Sequence, residues 1–224
     1  MPGKSDSAAA KRPAHRPSRR QDILQAAIGV FARRGYADAN VDEIAKGANV
    51  VPTAIYYHFG SKEELLHQAL RTAMDGFSDR VYETRPDAEE GDAEALRRVV
   101  KAGWDWWGTH PDDGTLVGRY SQGSTGHALQ LRAAWEERHL VRAYDYLPRT
   151  GRAVHSGRAA REQHAVNTLR MRVLLEVILA AQSAGLPGGP LSSIGKAVVA
   201  RELENVCVRL VSFDEDNTGA ERVG

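Results

Sequence analysis

Thr53, Tyr56, Tyr57 and His58 fall within six residues, directly after Pro52 and just ahead of Lys62. Hydroxyls, an imidazole and flat rings at that density suit contact with a polyanion better than bond making. A hydroxyl binds a phosphate or a base edge, and a ring face packs on a thymine methyl. Lys62 adds a cation at the start of a predicted helix, whose free N–H groups favour a phosphate. Bond-making chemistry is poorly served elsewhere. Glu136 and Glu137 are adjacent rather than facing, a poor acid–base pair. Gly118, Gly123 and Gly126 lack the preceding strand that a phosphate-binding glycine loop needs. No two histidines stand three or four apart, so neither a metal nor another cofactor is expected.

The elements that must hold these residues are announced by their caps. Ser18-Arg19-Arg20-Gln21 is a capping box, and Ile23, Leu24, Ala27, Ile28 and Phe31 follow as an apolar stripe at helical spacing. Gly35 sits where that helix should stop. Asn40-Val41-Asp42-Glu43 opens a second helix through Ala48, and Ser61-Lys62-Glu63-Glu64 opens a fourth. Between them Pro52 suits the first turn of a short third helix ending at Phe59. Ile44, Ala45, Val50, Ile55 and Phe59 supply a small core fixing the angle of the second and third helices. Three short capped helices of this kind predict a helix-turn-helix, in which the second helix of the pair enters the major groove. The candidate DNA-contact set is Asn40, Pro52, Thr53, Tyr56, Tyr57, His58 and Lys62. A plain three-helix bundle without nucleic acid is the competing reading of the spacing.

The segments Ile23-Leu24-Gln25-Ala26-Ala27, Phe31-Ala32-Arg33-Arg34-Gly35-Tyr36, Val41-Asp42-Glu43-Ile44-Ala45 and Ala54-Ile55-Tyr56-Tyr57-His58-Phe59-Gly60-Ser61-Lys62-Glu63-Glu64-Leu65 resemble the DNA-binding domain of TetR-family transcriptional regulators. The resemblance covers about the first third of the chain. It implies that Tyr56 packs under the recognition helix and reaches a phosphate, that Lys62 binds a phosphate, and that Thr53 and Tyr57 touch bases. Three positions depart from the family pattern. Asn49 replaces a turn glycine, a role that Asn tolerates in the left-handed region. Val51 replaces a small capping hydroxyl, and Ala54 replaces a common threonine, which removes two phosphate contacts.

The rest of the chain reads as all-α, with no period-two stretch long enough for a sheet. Helices are expected at 61–82, 93–109, 113–124, 127–147, 158–184 and 192–212, with a loop at 83–92 and breaks at Pro111, 148–151 and 185–190. The domain reading is a disordered basic tail (1–17), a helix-turn-helix domain (18–62), a helical effector-binding and dimerisation domain (63–213) and a disordered tail (214–224). Lys11, Arg12 and Arg16 of the first tail are read as solvated, with a minor-groove arm as the alternative. Between Met171 and Ala181 only Arg172 and Glu176 are charged, so that helix must be covered on more than one side. With Ile194, Val198, Val199, Leu203, Val206, Leu210 and Val211 on the last helix, this predicts a homodimer through 158–184 and 192–212, as the resemblance also implies. Leu96, Val99, Val100, Gly103 and Trp107 form a stripe, with Trp104 and Trp106 at its margins. Trp104, Trp107, His110, Tyr120, Trp135 and Tyr144 form the candidate ligand-binding set for an unidentified small molecule, with His127, Arg119 and Gln122 as further polar groups. Plain core packing is the alternative for each of them.

Charge and composition agree with that division. The net charge is +1, but residues 1–40 hold eight Lys/Arg against three Asp/Glu (+5), leaving −4 for the remainder. A basic end on a slightly acidic body suits docking to double-stranded DNA through one face. No run is apolar enough to span a bilayer, and no signal peptide is visible, so a cytoplasmic protein without membrane contact is expected. The single Cys207 excludes an internal disulfide and reads as a buried thiol rather than a redox sensor. The resulting expectation is a ligand-responsive repressor that binds a palindromic operator as a homodimer. An architectural DNA-binding protein without effector and a helical enzyme are the alternatives.

Overall fold

The computed structural model describes residues 19–84, 92–121, 130, 133–135, 137–138, 157–185 and 188–211. Its elements are helices: α1 (Arg19–Asp38), α2 (Val41–Gly47), α3 (Pro52–Phe59), α4 (Lys62–Glu83), α5 (Asp92–Thr109), α6 (Pro111–Ser121), α7 (Gly157–Ala184) and α8 (Lys196–Val211). The chain is all-α. Ser18, Tyr144, Gln122, His127 and both tails lie outside the described residues.

Two cores share the long α4. The first gathers the predicted α1 stripe (Ile23, Leu24, Ala27, Ile28, Phe31) with Ile44, Ala45, Ile55 and Phe59, and closes on Leu65, Leu66, Ala69 and Leu70 of α4. Val50 packs against its edge, only partly buried. The second begins a turn later on α4, at Ala73, Met74, Phe77 and Val81, and meets α5, α7 and α8. α6 belongs to both. Its Leu116, 0% exposed, fills the first core, while Val117 faces the second. Burying a leucine of this kind contributes about 1.5–3 kcal/mol. The exposed ion pair at the same junction, Arg33–Asp112 at 3.7 Å, contributes about 0–1 kcal/mol, while Arg33–Glu43 at 3.8 Å and Arg34–Glu43 at 3.6 Å tie α1 to α2. Apolar insertion therefore joins α6 to the amino-terminal helices more firmly than charge does.

Several ends differ from the spacing-based expectation for local reasons. α1 kinks at Gly35, the expected stop, whose φ of 75° and ψ of 176° only glycine adopts cheaply, and then runs on to Asp38. Asn40 caps α2 by accepting from the Asp42 N–H at 2.9 Å, but Glu43 turns away to Arg33 and Arg34, so the expected reciprocal box is half made. Ser61 accepts from the Glu64 N–H at 3.0 Å, while its own N–H goes to the Phe59 carbonyl. The helices do break at Pro111, but Pro111 itself starts α6, two residues ahead of the expected 113 and directly after α5 closes its last turn at His110. The last helix begins at Lys196 rather than 192. Residues 188–194 instead form turns, with the Ser192 hydroxyl donating to the Gly189 carbonyl at 2.6 Å and the Ile194 N–H to that of Leu191 at 3.0 Å. Ile194 thus stands in a turn and not on the helix face.

Candidate nucleic-acid interface

The α2–α3 turn is set by Asn49, the one non-glycine residue at positive φ (54°) among the described residues. This is the tolerance expected of Asn where a glycine is missing. From that turn the backbone reaches Val51, extended at φ −83° and ψ 149°, which leaves the start of α3 without a side-chain cap. Pro52 takes the first helical position. Ile55 and Phe59 anchor the helix inward, and Gly60 ends it at φ 75°.

The opposite face of α3 is open. Tyr57 is 86% exposed, Thr53 is exposed, Tyr56 is half exposed, and His58 and Pro52 are partly covered. Packed against its own neighbours, the Tyr57 ring meets His58 edge-on at 5.3 Å. With Val51 and Tyr56 also exposed, this face of α3 carries a group of apolar and aromatic side chains that make no contribution to the core. Lys62, the first residue of α4, is held where the amino-terminal helices converge: its ammonium lies 4.7 Å over the Tyr36 ring and donates to the Ala37 carbonyl at 3.4 Å. This fixes the cation beside α3 rather than leaving it to swing. Tyr36 was not singled out by sequence, and its only signal there is a ring directly after Gly35. Asn40 is exposed, its side chain engaged in capping α2. The candidate contact residues thus stand on α3, at the start of α4 and at the cap of α2, with Arg20 over the Phe59 ring at 4.9 Å.

The candidate ligand set divides. Trp104 and Trp135 are buried in the second core. Trp107 stacks on Phe77 at 4.8 Å and meets Trp106 edge-on at 4.6 Å. His110 is exposed and stacks on Trp106 at 4.5 Å. Tyr120 packs against the first core, where burial pushes its phenol above the ordinary value. A cavity of about 300 Å³ opens between α5, α6 and α7, and of the described candidates Trp107 and Arg119 line it, together with Pro111, Thr115, Leu179 and Gln182. The α7 residues were missed because a single glutamine in an apolar run reads as surface. Among the described residues no helix is long and apolar enough to cross a membrane.

Residues 23–69 match the family model described as bacterial regulatory proteins, tetR family. The chain is 33% identical over 98 residues to the HTH-type transcriptional repressor NicS of Pseudomonas putida, covering 44% of this chain and 46% of that protein. It is 37% identical over 82 residues to the HTH-type transcriptional repressor KstR2 of Mycobacterium tuberculosis, covering 37% and 39%. The matches thus span less than half the length of these relatives. Across nearly the whole molecule the fold is similar to a TetR-like transcriptional regulator from Rhodococcus sp. RHA1 (TM-score 0.61, 21% identity, 88% of this chain and 97% of that one). PfmR, a TetR-family regulator from Thermus thermophilus, is also similar (TM-score 0.56, 23% identity, 84% and 97%).

Proposed function

We infer, for a chain that belongs to the TetR family of bacterial regulatory proteins through residues 23–69, that it is a ligand-responsive repressor which binds a palindromic DNA operator as a homodimer. The observation that carries this reading is the outward face of α3, where Tyr57 stands 86% exposed beside Thr53 and a Lys62 pinned over Tyr36. In this reading Tyr57 and Thr53 would meet base edges, and Tyr56 and Lys62 phosphates. Pro52 and His58 flank them, and Asn40 orients α2 against the backbone.

The dimer would form through α7 and α8, whose Val166, Leu169, Val198 and Leu210 are exposed in one chain. Two α3 helices one DNA turn apart then read two half-sites. The body is the effector domain, and a small molecule regulates only by binding the non-operator arrangement more tightly. A DNA target accords with a cytoplasmic protein.

Selection of bound DNA from a random pool tests the reading, with affinity for the winners followed against salt. An inverted repeat should emerge, and log affinity should fall with log salt at a slope of about −0.9 per neutralised phosphate. Tyr57→Ala should lose at least about tenfold in affinity for the winner, the scale of one good base contact, with the same mass in light scattering. A pool without enrichment would overturn the specific regulator in favour of an architectural binder.

A further inference from the structure

The cavity between α5, α6 and α7 has a chemistry of its own. At about 300 Å³ it lies at the lower end of small-molecule sites, roughly 300–1,000 Å³. Trp107, Pro111 and Leu179 give it apolar walls. Its space comes from two glycines one turn apart on α6. At Gly114 a Cβ would stand 2.9 Å from Trp107 Cε3, so only glycine lets the indole lie against the helix. At Gly118, which lines the cavity, a Cβ would meet nothing within 4 Å among the described residues.

The polar groups are unbalanced in one direction. Arg119 is the sole charged residue among the described lining, and among the described residues no carboxylate pairs with it. Its hydrogen bond runs from Nη2 to the Ala32 carbonyl of α1 at 3.2 Å. Trp107, 2% exposed, buries an indole N–H that has no hydrogen-bond partner among the described residues. An unsatisfied buried donor of this kind costs about 1–3 kcal/mol. Gln182 is held by donating to the Trp104 carbonyl at 3.0 Å. The buried indole N–H presents no surface to the cavity, so the cation alone calls for an acceptor there, and the apolar walls call for a ring or compact hydrocarbon body.

We propose that this cavity takes a small carboxylate with an aromatic or alicyclic body, and that the carboxylate competes with the Ala32 carbonyl for Arg119. A bond from guanidinium to carboxylate is about twice as strong as one between neutral groups, and it can be bidentate. A neutral ligand would leave Arg119 on α1, whereas an anion draws it off. Ala32 lies three residues before the Gly35 kink, so releasing its carbonyl loosens the end of α1 that Tyr36 and Lys62 share. The regulatory consequence rests on the repressor reading above; the binding does not.

The test is calorimetric titration of the full-length chain with 2-naphthoate, 4-phenylbutyrate and 1-adamantanecarboxylate, each beside its matching alcohol. At least one acid should bind about tenfold tighter than its alcohol, the scale of a charged hydrogen bond. Arg119→Gln should erase that preference while the alcohol binds as before. Gly118→Leu, placed where a side chain meets open space, should abolish binding of both. Amide exchange over 33–39 should quicken on binding. No binding by any acid, equal binding of acid and alcohol, binding that survives Gly118→Leu, or unchanged exchange overturns the proposal. DNA selection on the same preparation separates the two readings. A chain that selects DNA but binds no acid loses this site alone, and one that binds acid but selects no DNA loses only the repressor.

Discussion

Cys207 shows how far a single residue's chemistry follows from its place. It is 0% exposed in the second core, and burial pushes its thiol from 9.0 up to about 11. The folded state therefore holds its proton longer than the unfolded chain does. The stability linked to it is full below pH 9 and is lost as pH rises from 9 towards 11. Because the thiolate is the reactive form, native protein at pH 8 should react with an aromatic disulfide reagent at least about a hundredfold more slowly than urea-unfolded protein. Matched rates would contradict the burial. The neighbours Val206 and Val208 already pointed to this inert thiol in the sequence. Asn49 and Gly35 were legible for the same reason: each backbone conformation admits few side chains, so residue type reveals it. Arg119 was legible as a pocket candidate, but its hold on Ala32 was not, nor was Tyr36's on Lys62, because a carbonyl 87 positions away and a shared ring arise only when helices meet.

Helices α2 to α5 and α7 stand within about two residues of their expected ends, since stripe, cap and breaker agree in each. The start of α8 was lost where Ser192 competes for a backbone carbonyl, a choice between turn and helix that spacing does not decide. On α7 the apolar run reads correctly as needing more than one cover. Leu174, Ile178 and Leu179 face the core, while Leu169 is left 62% exposed and Val166 is also open. Leu169→Arg should therefore leave the single chain's stability within about 0.5 kcal/mol and reduce the light-scattering mass from two chains to one. A dimer that survives the change would move the interface off this face. The aromatic stripe on α5 was legible as a stripe but not in its use. Trp104, Trp106 and Trp107 are all buried, and only the last borders the cavity among the described lining residues.

At the scale of the whole molecule the charge is uneven along the sequence, +5 over residues 1–40 against −4 beyond, and the described part of the first stretch is α1, which shares a core with α3. That much is visible in the sequence. The meeting of the two cores is not, because Leu116 reaches the first core from a helix far along the chain. A fragment 19–84 lacks this plug, and a fragment 19–121 retains it. Thermal unfolding by circular dichroism should place the shorter one lower in stability by at least about 1.5–3 kcal/mol, the contribution of one buried leucine. Equal melting of the two would show the amino-terminal helices to be self-sufficient. The same plug limits modular exchange. A chimera that grafts these first helices onto another regulator's body inherits a socket shaped for Leu116 and an α1 carbonyl awaiting Arg119, so portability is a property of the head together with α6, and a donor body is compatible only if it brings a matching key.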